Sequence, residues 1–293
     1  CRSLYVETKF MIIALAHKKL RLGLSLLGAA AGMALLSVSS AFADGQDYGG
    51  SRTVIFKSHA TDLTTGETLY TERHTYVERD GSPQMAEVMY HDPAGNIWAT
   101  KKLTFSNGTA APFFHRENMK TGYQEGFVAA DDAGSIGTLF HRAKGEKQGC
   151  GETFSARSGH IVDAGCNQHL QKSLPELAQG NKLRFDLLVP KACRAVEFEA
   201  AAKQSDDPAV LLVSMRPTNL LARLVVPDTQ VMYNRQTGAL VGYRGLSDLT
   251  DDQGRTMKGA IEFERPEILT ADVAAQSNVM GRLDSGEQGN EQD

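Results

Sequence analysis

The stretch DAGCNQHLQKSLPELAQG, Asp163 to Gly180, stands between segments that all read as β-strands, so its reading decides the fold. Cys166, Leu170, Leu174, Leu177 and Ala178 recur at the 3.6-residue period of a helix and share one face. Asn167, Gln171, Lys172, Glu176 and Gln179 fall on the other. Asp163 is placed to cap the first turn, and Gly180 to end the helix in the left-handed region. Pro175 lacks an amide hydrogen, while Ser173 and Glu176 have the spacing of a capping box, so a kink or restart is expected there.

Working outward, strand patterns lie on both sides. Thr53 to Ser58, Glu67 to Arg79, Gln84 to Tyr90 and Ile97 to Phe105 are separated by turn-forming runs, which predicts an antiparallel meander. Tyr70, His74 and Tyr76 share one face of the second strand, with Leu69, Thr71 and Val77 on the other. Ile97, Ala99, Leu103 and Phe105 share a face of the fourth. Between Ser106 and Gly149 the pattern weakens to two short strands. After the helix, Leu183, Phe185, Leu187 and Val189 alternate with Lys182, Arg184 and Asp186, then Val196, Phe198 and Ala200 alternate with Glu197 and Glu199. Val210 to Met215 follows, and Gln230 to Glu264 reads as three more strands.

About a dozen strands exceed what a flat sheet holds without curling. The predicted fold is mainly β with one principal helix (α+β), a curved antiparallel sheet or open barrel wrapped around helix 163–180. Unless the helix fills it, such a curve encloses a tunnel. Leu170, Leu174, Leu177, Phe185, Leu187, Phe198 and Tyr243 are the residues expected to line it, a surface suited to a hydrophobic small molecule or lipid.

From Met11 the chain reads as a basic stretch (His17, Lys18, Lys19, Arg21), an apolar run from Leu22 to Leu36, and Ala41-Phe42-Ala43. This is the pattern of a secretory signal peptide cleaved near Ala43. The apolar run is too short for a membrane-spanning helix, so no integral membrane segment is expected after cleavage. Residues 1–10 read as an upstream over-extension, 44–266 as a single β-rich domain, and 267–293, rich in Ala, Gln, Ser, Gly and acids, as a flexible tail. The expected location is periplasmic or secreted. Segment 1–43 holds five of the chain's 31 basic and one of its 35 acidic side chains, so the remainder carries a net charge near −8. Such a balance disfavours nucleic acid and anionic surfaces.

Cys150, Cys166 and Cys193 would meet an oxidising compartment, which suggests one disulfide and one thiol. Cys150 with Cys166 closes the shorter loop and is the expected pair; Cys166 with Cys193 stays open. A thiol enzyme using Cys166 is the third reading, because the residue falls in the first helical turn with His160 and His169 near in sequence, but a structural half-cystine is the stronger reading in an oxidising compartment. The separations among Cys150, His160, Cys166 and His169 match no usual zinc spacing, and no metal or other cofactor is expected. The acidic pairs Asp131-Asp132 and Asp251-Asp252 sit in turns and read as solvated, not as a glycosidase pair. Arg73, His74, Tyr76, Tyr243 and Arg244 could form a polar patch at a barrel mouth, though cross-strand pairing on a wet face is the ordinary explanation.

Asp92-Pro93-Ala94-Gly95-Asn96-Ile97-Trp98-Ala99 and Tyr233 to Asp252, with Tyr243-Arg244-Gly245-Leu246-Ser247-Asp248-Leu249 at its centre, are similar to uncharacterised proteobacterial periplasmic proteins. The exported meander with a helix against a curved sheet resembles the lipoprotein-carrier (Lol-type) open barrel. That resemblance implies shielding of acyl chains in transit and transfers no catalytic or binding position. The expected function is therefore a non-enzymatic carrier or binder of a hydrophobic ligand. The alternative is an envelope interaction or scaffold protein without a cavity.

Overall fold

The computed structural model describes residues 50–270 apart from 132, 133, 135, 147, 148, 156–158, 224, 225, 252 and 253. The expected export segment 1–43, residues 271–293, and Asp132 and Asp252 of the acidic pairs lie outside the described residues.

Strands β1 (Ser51–Asp62), β2 (Thr68–Arg79), β3 (Ser82–His91), β4 (Ile97–Thr104), β5 (Phe113–Asn118), β6 (Gln124–Ala129), β7 (Ile136–Arg142), β8 (Cys150–Ser155) and the two-residue β9 (Ile161–Val162) come first. Helices α1 (Gly165–Lys172) and α2 (Leu174–Ala178) follow, then β10 (Lys182–Val189), β11 (Arg194–Lys203) and β12 (Val210–Pro217). A short helix α3 (Leu220–Arg223) leads to β13 (Thr229–Asn234), β14 (Leu240–Thr250), β15 (Thr256–Phe263) and β16 (Glu267–Thr270). All form one 16-stranded sheet in which β1 lies beside β15, so two meanders, β1–β8 and β15–β10, run outward from a common centre. Every pairing is antiparallel except β9 with β10.

The mainly β reading holds, with more strands than expected. Residues 106–149 contribute β5, β6 and β7 where only two strands were legible, because their inward rows mix Phe114 and Phe127 with Arg116 and Glu125 and so break the apolar alternation. Glu267–Thr270, expected to open the flexible tail, pairs instead with the beginning of β1.

Right-handed twist accumulates over so many strands and curls the sheet. Its edges, β8 and β9, are not hydrogen-bonded to one another. The seam is held by other means: a disulfide joins Cys150, at the start of β8, to Cys193, in the turn after β10, with Cα atoms 6.2 Å apart. The expected Cys150–Cys166 pair is thus corrected. Alternating strand direction carries Cys150 and the β10–β11 turn to the same end of the sheet, whereas Cys166 is turned inward with its Sγ 4.0 Å from Met215 Sδ. A backbone bond from Val162 N–H to the Ala110 carbonyl, 3.0 Å, fastens β9 to the loop before β5. Gly165 is required beside it, since a Cβ there would fall 1.8 Å from the Ala110 carbonyl oxygen, a backbone atom that cannot step aside.

The helix breaks at Ser173, and Pro175 takes a place in the first turn of α2, where its missing N–H costs little. Gly180 has φ +89° just beyond α2. The expected caps differ. Asp163, with φ +40°, is not the N-cap of α1: its carboxylate accepts from the Ala164 amide at 2.7 Å and from Lys101, Ala164 is the N-cap, and Ser173 makes no side-chain capping bond to α2. Of the predicted polar face, Lys172, Glu176 and Gln179 are exposed and Gln171 is half-buried, whereas Asn167 is buried and its Oδ1 accepts from the Tyr233 hydroxyl at 2.8 Å. Helix α1 is enclosed by the sheet rather than laid across its mouth.

Register places the β1–β2, β3–β4, β5–β6, β7–β8, β10–β11, β12–β13 and β14–β15 connections at one end, the upper rim. The loop from β9 into α1 starts near that rim, and the helices run back toward the opposite one.

Candidate functional site

The interior is built from inward rows that alternate with wet ones. On β2 the row is Tyr70, Glu72, His74, Tyr76 and Glu78, all buried, while Leu69, Thr71 and Val77 are partly exposed. This is the division expected for Tyr70, His74 and Tyr76. On β4 the row includes Ala99, Lys101 and Leu103; on β5, Phe114, Arg116 and Asn118; on β6, Glu125 and Phe127.

Five charged side chains from opposite sides of the molecule meet at the centre. Lys101 Nζ donates to Asp248 Oδ2 at 2.8 Å and to Asp163 Oδ1 at 3.1 Å. Arg116 pairs through Nη1 with Asp248 Oδ1 at 2.8 Å and through Nη2 with Glu125. Tyr90 donates to Asp248 Oδ2 and Tyr123 to Glu125 Oε2, both at 2.7 Å. The cluster therefore ties β4, β5 and β6 of one meander to β14 of the other and to the loop that opens α1.

Adjacent strand residues normally face opposite ways, yet Ser247 and Asp248 both point inward, Ser247 Oγ lying 2.7 Å from the Tyr70 hydroxyl. The register of β14 slips between Leu246 and Thr250, and such a bulge re-aims side chains in this manner.

Burial sets the electrostatics. Burial works against the Lys101 ammonium, but Asp163 and Asp248 together outweigh it and raise its pKa. For Asp248 burial is outweighed by Lys101 and Arg116, which hold its carboxyl below the ordinary range. Asp163 has a smaller share of that cationic support, and burial prevails: its pKa rises to about 6. Burial likewise raises the hydroxyls of Tyr70 and Tyr90. A second set lies along β1 and β2, where Glu72 Oε2 accepts from Ser58 Oγ at 2.5 Å and contacts His74 Nε2 at 2.8 Å.

The expected tunnel residues are all in the packed core. Leu170 and Phe198 are 0% exposed, Leu177, Leu187 and Tyr243 1%, and Phe185 7%; Leu174 is partly buried against the same cluster. A hollow large enough even for water leaves accessible surface on its walls. These walls have almost none, so in this conformation the helices fill the curve. Of the expected polar patch, His74, Tyr76 and Tyr243 are interior, whereas Arg73 and Arg244 face outward. Cys166 is 0% exposed and burial pushes its thiol pKa up, the opposite of what a nucleophile needs. His169 packs edge-on against Phe185, ring centroids 5.3 Å apart.

Outside the core, a cleft of about 360 Å³ opens at the upper rim among Asn118, Met119, Arg142, Lys144 and Glu146. It is polar and of mixed charge.

No family model matches the chain, and no curated protein matches it. Sixteen chains of solved structures do. Among them is a β-barrel-like protein of the domain of unknown function DUF1849 from Brucella abortus, at 11% identity and TM-score 0.41, covering 75% of this chain and 98% of that one. A putative outer membrane lipoprotein-sorting protein domain from Vibrio parahaemolyticus matches at 8% identity and TM-score 0.24, covering 79% and 91%. A DUF1329 family protein from Desulfovibrio piger matches at 9% identity and TM-score 0.23, covering 75% and 86%. At these identities and scores the likeness is one of chain course, and no functional conclusion follows from it.

Proposed function

We propose that the protein is a non-enzymatic, exported scaffold whose work is done by its outer surface. The observation that supports this reading is the central ion cluster of Lys101, Asp163, Asp248, Arg116 and Glu125. Buried charges are costly to separate, since each partner left alone keeps its full desolvation penalty. A cluster that fastens the helix entrance to both meanders therefore resists the opening that loading an acyl chain would require. Export to an oxidising compartment agrees with the Cys150–Cys193 disulfide across the seam. No helix among the described residues is long and apolar enough to cross a membrane.

A second reading, a carrier of a hydrophobic ligand, draws on one observation. The edges β8 and β9 are unpaired with each other, and the wall of Phe185, Leu187 and Phe198 faces the helices directly behind that seam. If the helices swung away, Leu170, Leu174, Leu177 and Tyr243 would complete an apolar bed. Native mass spectrometry of protein purified from its own envelope separates the two. The scaffold reading expects a clean apo mass, and a stoichiometric co-purifying lipid overturns it in favour of the carrier.

A further inference from the structure

The upper rim carries an uneven share of exposed apolar side chains. Leu63 stands in the β1–β2 turn, Ile97 at the entrance to β4, Met119 in the β5–β6 turn, and Leu220 and Leu221 on α3 between β12 and β13. The two leucines, 73% and 75% exposed, are the most exposed large apolar residues among those described. They are not loosely held. Asn219 Oδ1 accepts from the amides of Leu221 and Ala222 at 2.9 and 3.2 Å, Arg223 Nε donates to the Pro217 carbonyl at 2.6 Å, and buried Val226 anchors the far side. Keeping two adjacent leucines in water on a braced tip has a cost that a partner surface would remove.

The charges of the same rim are sorted by direction. Its carboxylates are turned back on their own turns: Asp62 accepts from the Thr64 and Thr65 amides, Asp92 from Ala94 and Asn96, Glu146 from Ala143, and Asp251 from Arg255. Arg142, Lys144 and Arg194 are exposed, whereas the Arg255 guanidinium is paired with Asp251 at 2.7 Å. The net negative charge of the whole chain acts weakly at this distance, because salt screens beyond about 10 Å.

We propose that the upper rim docks on a lipid bilayer bearing anionic phospholipid, with Leu220 and Leu221 inserted among the acyl chains and the rim cations meeting the headgroups. A bilayer suits the geometry better than a protein, because the apolar groups sit on separate turn tips around an end and not in one shaped patch. A flat, fluid apolar phase can receive separated tips; a folded partner needs contiguous area. The inference goes beyond the scaffold reading and holds whether the interior stays shut or opens.

The test uses the processed protein recovered from cells and sedimentation with phosphatidylcholine–phosphatidylglycerol vesicles. The wild type is expected in the pellet, and Leu220→Asp/Leu221→Asp to bind roughly tenfold less or weaker. Both side chains are exposed, so an unchanged melting temperature will show that the variant is folded. Met85→Asp, at a 55% exposed site at the opposite end, should bind as the wild type does. A wild type left in the supernatant, a double variant that binds undiminished, or a Met85 variant that loses binding to the same degree overturns the proposal.

Discussion

At the scale of single residues, the most informative side chain is Asp163, with a left-handed backbone, a buried carboxylate and a lysine shared with Asp248. Its pKa rises on folding from an ordinary 3.8 to about 6, so the folded state holds the proton more tightly than the unfolded one. The resulting cost is absent below the unfolded value, grows as pH rises and is complete above the folded value. Asp248 has the opposite sign: its lowered pKa contributes stability above the ordinary range that is lost as acid protonates it. Asp163→Asn is therefore expected to gain on the wild type by on the order of 1–3 kcal/mol between pH 4 and pH 7, read from paired denaturation curves. Parallel stability profiles for the two proteins would show that the carboxylate is not desolvated as described. The signal for this cluster was present in the sequence. Lys101 has the same parity as Ala99 and Leu103, Arg116 as Phe114, Glu125 as Phe127, and Glu72 as Tyr70 and Tyr76; a charge in phase with an apolar row marks an interior polar group. Asp248 was not legible, because only the β14 bulge lets it face inward beside Ser247.

At the scale of elements, the helix break at Ser173 and the strands on either side of the helical stretch follow from local pattern, since Pro175 and strict alternation act within a few residues. What local pattern could not carry is enclosure. Asn167, on the predicted wet face of α1, is buried and satisfied by Tyr233, 66 residues away in sequence, while Lys172 of the same face is exposed as predicted. The cysteine pairing failed for the same reason: loop length favours near partners, whereas the curl brings together the ends of β8 and β10. The Cys150–Cys193 bridge spans 43 residues, and on chain-entropy grounds its loss costs about 4 kcal/mol. Reduction, or Cys150→Ser/Cys193→Ser, should lower stability by that order in chemical denaturation, and peptide mapping of the oxidised protein should recover Cys166 as a free thiol. Stability that is indifferent to reduction, or a Cys166-containing bridge, would contradict the seam described.

At the scale of the whole molecule, the two meanders, the helix and the seam form one curled unit whose edges β8 and β9 stay unpaired with each other. Twist curls the sheet, α1 occupies the space the curl makes, and the ion cluster fixes the helix entrance to both halves. Among the described residues, the side chains expected to line an oily hollow are packed core, in the space that α1 and the inward tyrosines occupy. Hydrogen exchange of the α1 amides, Gly165 to Lys172, in the oxidised protein at neutral pH tests this most directly, since protection measures the free energy of local opening. These amides are expected to exchange as slowly as those of the central strands β1 and β15, only through global unfolding. Fast exchange of α1 with the sheet still protected would show a helix that swings free, and would contradict the locked interior.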